Sequence, residues 1–296
     1  MMKLKIIFQS MRAPFLVLTF ACVFLGASVA AKQTELDLFM LLLALIGALL
    51  AHISVNTLNE YLDFKSGLDL ETVKTPFSGG SGALPQNPEM VDAVLFIGLA
   101  SSMFMMIIGC YFVVQFGAAI IPVGIIGLVL IASYTGWINK HPFICLLAPG
   151  AGFGFLMVAG TSFVLQGEYG VLPWLVAVVP FFLVNNLLLL NQYPDIRADI
   201  NAGRNHFPIA YGVARSSLVY GLFAVAAVVT IVAYVAAGIL PMMSLMALLP
   251  MPLAFFALSG AVKYGEALGG QPQYLGANVA VTILTTFLLG LSLIIA

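Results

Sequence analysis

Long stretches of this chain carry no charge at all. About nine apolar segments of roughly 20 residues each follow one another, near 13–31, 37–62, 91–115, 117–137, 142–166, 171–193, 216–238, 241–262 and 274–296. That is the length an α-helix needs to cross the hydrocarbon core of a bilayer. Inside a bilayer each backbone amide must be bonded within its own segment, so stretches of this length are helices. Only 8% of the 296 residues are charged, against about 25% in a soluble domain. Water-soluble enzymes, disordered chains and secreted disulfide scaffolds are excluded. Cys22, Cys110 and Cys145 lie in apolar runs without paired spacing, so no disulfide framework or zinc site is expected. The expected fold class is all-α, a polytopic membrane bundle of about nine transmembrane helices.

Breakers mark several boundaries. Pro14 opens the first span, Pro142 the fifth, and Gly238 and Pro241 separate the seventh from the eighth. The first apolar run is longer than a signal-peptide core and is expected to stay as a span. Ten of the eleven basic residues fall on one side: Lys3, Lys5 and Arg12 before the first span, then Lys65, Lys74, Lys140, Arg197, Arg204, Arg215 and Lys263 in alternate loops. Only Lys32 is opposite. The positive-inside rule makes the richer side cytoplasmic, together with the N-terminus. The net charge of -1 gives no reason to expect nucleic acid, and no protein partner is evident; the surrounding partner is the lipid bilayer.

The two longest polar segments share the cytoplasmic side, and they repeat a pattern. Asn59-Glu60-Tyr61-Leu62-Asp63 and Asn191-Gln192-Tyr193-Pro194-Asp195 both read Asn-x-Tyr-x-Asp, 132 residues apart. Each is followed by a second carboxylate (Asp69, Asp199), a glycine (Gly67, Gly203) and a basic residue (Lys74, Arg204). Such an offset is about four spans. The chain therefore reads as one transmembrane domain over 1–296, with two four-helix pseudo-repeats, about 13–137 and 142–262, and a last helix. Repeats of this kind commonly place a binding site at their interface.

Residues four apart share a helix face, which puts Asn59 with Asp63, and Asn191 with Asp195 and Asp199, unless Pro194 kinks the second stripe. Carboxylates so crowded repel one another, and a divalent cation relieves that. Mg²⁺ is hard and is commonly held by one or two carboxylates plus substrate phosphates. Lys74 and Arg204 would neutralise the rest of a diphosphate. Metal ligands are expected among Asn59, Asp63, Asp69, Asn191, Asp195 and Asp199. A transporter is the rival from another class, but no Asp, Glu, Lys or Arg lies within a span away from the membrane faces.

These motifs resemble those of the UbiA superfamily of intramembrane prenyltransferases, whose two aspartate-rich signatures follow the second and sixth of nine helices. Within it the chain is most similar to the 1,4-dihydroxy-2-naphthoate polyprenyltransferases of menaquinone biosynthesis. Asn59 to Asp69, the loop Thr75-Pro76-Phe77-Ser78-Gly79-Gly80-Ser81-Gly82, Leu156-Met157-Val158-Ala159-Gly160-Thr161 and the pair Tyr134-Thr135 carry the likeness. Glu60 stands where aspartate is usual, and Lys74 where arginine is common. Asn205-His206 follows the second basic residue in place of the usual pair. The resemblance implies Mg²⁺-dependent transfer of a polyprenyl group from an isoprenyl diphosphate to an aromatic acceptor through an allylic carbocation, in a prokaryotic cell membrane. Hydroxybenzoate, porphyrin and ether-lipid acceptors of other branches stay open.

On that reading Asp63, Asp69, Asp195, Asp199, Lys74 and Arg204 carry the catalysis, and Asn56, Asn59, Tyr61, Tyr134, Asn191 and Tyr193 bind substrate. His52, two turns before Asn59, lies either in the core or beside the acceptor or the first isoprene, and His206 is either solvated or near the acceptor's proton. The segment 64–87, rich in glycine and proline, is expected to act as a lid over the head group.

Overall fold

The computed structural model describes residues 2–296, and among these all regular structure is helical. Eight segments are long and apolar enough to cross a membrane. One of them, Pro88–Ser133, has 46 residues, about 69 Å of helix at 1.5 Å per residue, far longer than one crossing. The chain breaks there at Gly117 (φ 71) and turns through Gly117–Ile120, so this segment makes two passes. The architecture is the expected all-α membrane bundle, with about nine crossings.

A short helix α1 (Met2–Ser10) precedes the spans α2 (Val17–Ala31), α3 (Leu38–Lys65), α4 (Val91–Phe116) and α5 (Ile121–Ser133). The second half has α6 (Pro142–Gln166), α7 (Val171–Asn191), α8 (Phe207–Ala236), α9 (Pro252–Tyr264) and α10 (Pro272–Ile295). The α3 helix starts where Asp37 accepts from the backbone of Phe39 and Met40 at 2.8 and 3.2 Å, an N-cap that satisfies two orphan donors. Its 28 residues run about 42 Å, so its last turns, which hold Asn59 and Asp63, project to the membrane face. The α8 helix begins earlier than the apolar run predicts, at Phe207, but Gly212 (φ 79, ψ 161) interrupts it and sets the first turn apart.

Burial divides the bundle. Cys22 and Leu25 of α2, Val176 and Val184 of α7, Ala224 of α8 and Leu289 of α10 are sealed in the centre. The α4 and α5 helices are peripheral and expose Phe96, Leu99, Val114 and Val129, the side chains that lipid would cover. In α6, Pro149 removes a backbone donor, and the next turns, Ala151–Met157, widen to the π-type. The adjacent Gly150 N–H turns to Asn185 Oδ1 at 2.6 Å. Inserted residues of this kind are a usual cause of widened turns.

Lipid tails are as apolar as leucine, so polar side chains help fix which helices meet. One such cluster ties α7, α8 and α10. Asn186 donates to the Tyr220 carbonyl at 2.9 Å, the Tyr220 hydroxyl donates to Asn278 Oδ1 at 2.9 Å, and Asn278 donates back to the Asn186 carbonyl at 3.0 Å. All three residues are buried. Replacing Asn278 by Ala strands the Tyr220 hydroxyl, at a cost of about 1–3 kcal/mol. We expect Asn278→Ala to lower the melting temperature in detergent, and adding Tyr220→Phe to recover part of the loss. A thermal melt of the two variants checks this; strictly additive losses would mean the hydroxyl and amide do not couple.

Candidate active site

The α3 helix stays regular through Lys65, so Asn56, Asn59 and Asp63 emerge from one helix, with Asn59 and Asp63 on the same face. Gly67, at φ 83, then reverses the chain in the left-handed conformation that glycine adopts without steric cost. The short helix Leu68–Glu71 folds back and buries Asp69. The backbone of Gly80 passes so close that a Cβ there would lie 2.5 Å from Asp69 Oδ1. The second motif is built differently. The α7 helix ends at Asn191, because Pro194 has no N–H to continue the ladder. The chain turns and re-enters a helix at Ile196–Asn201. Asn191, Asp195 and Asp199 therefore do not share one continuous stripe, as an unbroken helix would predict. Asp195 and Asp199 still sit one turn apart, with the Asp199 N–H on the Asp195 carbonyl at 2.8 Å.

Arg204 joins the motifs. Its Nη2 bonds Asp63 Oδ1, and its Nη1 bonds Asp199 Oδ1 at 2.8 Å. His206 completes the chain, with Nε2 2.8 Å from Asp199 Oδ2, and it is buried rather than solvated. Loop 72–87 crosses to the second motif, where the Gly79 N–H donates to Asp195 Oδ2 at 2.9 Å. It is also pinned to the first. Glu60 is fully buried and accepts from the Ser81 hydroxyl and, at 3.0 Å, from the Ser81 N–H. Here the longer glutamate reaches the loop instead of the cavity.

Below this polar layer lies an apolar cavity of about 550 Å³. Asn56, Asn59, Tyr134 and Asn191 line its polar end, and Phe112, Ile120 and Val164 line it toward the opposite membrane face. Asn59 donates to Thr135 Oγ1 at 3.0 Å. Burial holds the Tyr134 hydroxyl protonated far above the usual range for a phenol. Three buried oxygens (Asp69 Oδ2, Asp195 Oδ1 and Asn191 Oδ1) have no hydrogen-bond partner among the described residues. Also among these residues, no three His, Cys, Asp or Glu side chains converge closely enough to hold a metal unaided. With Asp63 and Asp199 occupied by Arg204, the carboxylates do not form a closed cage.

Three of the sequence-predicted residues belong neither to the cavity wall nor to the polar layer above it. Tyr61 packs beside Leu84, Met90 and Val94. Tyr193 is fully buried and shares a hydrogen bond with Ser217 at 3.0 Å. Lys74 is exposed, its stem over Gly82. One residue was missed. Arg12, counted above only for membrane orientation, lines the cavity and donates to Asn59 Oδ1 at 3.4 Å. It lies 3.9 Å from Glu60, and its Nε is buried without a partner. Its φ of 52 is the one positive value for a non-glycine among the described residues, the kind of local strain that collects at ligand sites. A charge two residues before Pro14, which opens a span, was the available signal.

With the geometry in place, comparisons place the chain among known proteins. Residues 19–274 match the model of the UbiA prenyltransferase family. A 1,4-dihydroxy-2-naphthoate octaprenyltransferase of Bacillus subtilis is 29% identical over 212 residues, 70% of this chain and 66% of that protein. The protein of the same name in Escherichia coli is 28% identical over 216 residues, covering 69% of this chain and 68% of that one. A solved structure of a UbiA homologue from Archaeoglobus fulgidus, bound to DMAPP and Mg²⁺, superposes with a TM-score of 0.64 at 17% identity, over 98% of this chain and 99% of that one.

Two carboxyls carry an electrostatic signature of the site. Burial, with Glu60 and Asp63 nearby, pushes Asp69 up to about 8 from 3.8. Burial also pushes Asp195 up to about 7, against the pull of the Gly79 N–H. The folded, ligand-free protein therefore holds protons that the unfolded chain releases near its ordinary carboxyl value. Stability is gained as pH falls from about 8 toward 4 and lost as it rises through 7 to 8. We expect chelator-washed protein to melt at a higher temperature at pH 6 than at pH 8.5, and Asp69→Asn with Asp195→Asn to flatten that difference. A pH series of melting curves on both proteins checks it; parallel curves would mean these carboxyls are ordinary.

Proposed function

Because the chain belongs to the UbiA prenyltransferase family, we propose that it transfers a polyprenyl group from an isoprenyl diphosphate to an aromatic acceptor, 1,4-dihydroxy-2-naphthoate, in a Mg²⁺-dependent reaction. The observation that carries this reading is the meeting of two acidic motifs, through one arginine, over the polar end of an apolar cavity. A molecule with an anionic head and a long apolar tail fits that arrangement. The acceptor assignment draws on the names of the Bacillus and Escherichia relatives and on the branch-like motifs around Asn59 and Thr75.

The donor set fits a hard cation. Asp69 Oδ2, Asp195 Oδ1 and Asn191 Oδ1 are buried oxygens awaiting a partner, and oxygen is what Mg²⁺ prefers. Asp63, Asp69, Asp195 and Asp199, with Asn59 and Asn191, would hold it. When bound, Mg²⁺ supplies the positive charge against which a diphosphate departs. Arg204 brings guanidinium donors to the same layer, suited to bidentate contact with phosphate oxygens. Arg12 adds an unpartnered N–H from the N-terminal side, and Lys74 lies on the loop that closes over it. The apolar wall from Leu130 and Leu156 to Val164 keeps water from an allylic cation, while the Tyr134 ring offers its π face. The loop's ties to Glu60 and Asp195 let it act as a lid. A single domain of two four-helix repeats, about 13–137 and 142–262, would place one motif on each side. The one-sided basic residues point to a cytoplasmic site.

The test uses purified protein, Mg²⁺, a polyprenyl diphosphate and a panel of aromatic acceptors, with diphosphate release and lipid mass spectrometry as readouts. Prenylated naphthol is expected, lost in chelator and restored by Mg²⁺; full activity in chelator would sink the metal reading. Asp195→Asn keeps an oxygen for Gly79 but removes the charge. It should cut turnover about 100-fold or more with little change in folding. Retained activity would remove the second motif from the mechanism.

A further inference from the structure

His52 takes no part in the reaction described so far, yet it is set for contact with a substrate. It sits on α3 seven residues before Asn59, two turns or about 10 Å deeper along the helix. It is a buried side chain on the wall of the cavity. Phe153, from the widened turns of α6, packs edge-on against its ring, with centroids 4.7 Å apart and planes at 74°. This leaves one ring edge toward the cavity.

The ring's proton can be placed. Thr19 of α2 is fully buried, and its hydroxyl lies 2.8 Å from His52 Nδ1. It makes no other hydrogen bond among the described residues, not even to the carbonyl one turn back that usually receives a helical hydroxyl. A sealed hydroxyl has to donate its proton, and Nδ1 is its acceptor. The neutral ring then carries its hydrogen on Nε2. That nitrogen bonds no protein group among the described residues, and it is not one of the sealed unpartnered atoms. An N–H donor therefore stands in a wall otherwise built at this depth from Leu18, Val55, Phe153 and Met157.

Depth selects the ligand. The attacked ring carbon must come within about 3.5 Å of the first prenyl carbon, which lies just below the diphosphate. A fused bicyclic acceptor therefore spans the region between Asn56 and His52. A prenyl tail offers nothing to a donor, whereas an acceptor bears oxygens. We propose that His52 Nε2–H hydrogen-bonds an oxygen substituent of the aromatic acceptor and so sets which acceptor is taken and how its ring is turned toward the prenyl group. Thr19 is the positioning residue that holds the tautomer. This rests on the proposed aromatic prenyl transfer.

The experiment compares wild type, His52→Leu, His52→Gln and Thr19→Val in lipid nanodiscs, with dihydroxynaphthoate and analogues lacking the carboxylate or one hydroxyl. His52→Leu should raise the acceptor KM about tenfold or more, the loss of one hydrogen bond. The diphosphate KM should not move, and the rise should vanish for the analogue lacking the bonded oxygen. His52→Gln, which keeps an N–H, should recover most of it. Thr19→Val leaves the cavity wall intact and releases the tautomer, so it should raise the acceptor KM even if His52→Leu fails to fold. Equal losses with every analogue, or a change in diphosphate KM alone, overturns the proposal. Wild type that prenylates no aromatic acceptor ends the functional reading itself; wild type that does, with indifferent His52 variants, ends this inference alone.

Discussion

A single guanidinium between two buried carboxylates holds the functional end of this protein together. Asp63 ends the second span of the first half, and Asp199 follows the second span of the other. Arg204 satisfies both, and His206 bonds the remaining oxygen of Asp199. Removing one partner of a buried ion pair commonly costs about 3–5 kcal/mol, because the other charge is left without compensation. This pairing ties the end of α3 to the short helix after α7. The same charge balance makes the site receptive. In the proposed reaction Arg204 would be the group to bond phosphate oxygens, and bound cations would take over the two acids it neutralises here.

The bilayer dictates where such chemistry can sit. Charges are excluded from the span interiors, so the polar layer lies at the ends of α3 and α7, and the cavity below it is almost wholly apolar. Its few polar groups at depth stand out for that reason. The widened turns of α6 belong to the same design, since they set Phe153 against His52 while Asn185 satisfies the loosened backbone at Gly150.

Much of this was legible in the sequence because hydropathy and charge placement act over long, regular segments. The spans, the two motifs and their meeting at one membrane face follow from those patterns. Finer orientation did not. Tyr61 lies two residues from Asn59, about 200° around the helix, so a motif read as a string of letters hides that the two side chains point apart. Tyr193 was lost to the turn that Pro194 forces. Glu60 looked like a variant acid of the site, whereas its extra methylene carries it to Ser81, 21 residues further along the chain and beyond the short helix Leu68–Glu71. Arg12 was hidden by its plain place among basic residues before the first span. A loop's path and the aim of a side chain depend on tertiary contacts that no local pattern encodes.

The wide separation of Asp63 and Arg204 has a consequence during synthesis. The two are 141 residues apart, so at about 5–20 residues per second the ribosome needs roughly 7–30 s to deliver the arginine after the aspartate. Through that interval the first half exists with Asp63 lacking the arginine that bonds it in the folded protein. A carboxyl waiting at the lipid headgroups, hydrated or protonated, can tolerate the delay; one drawn deeper cannot. The length of α3, which carries Asp63 to the membrane surface, thus protects the nascent chain before its counter-charge exists.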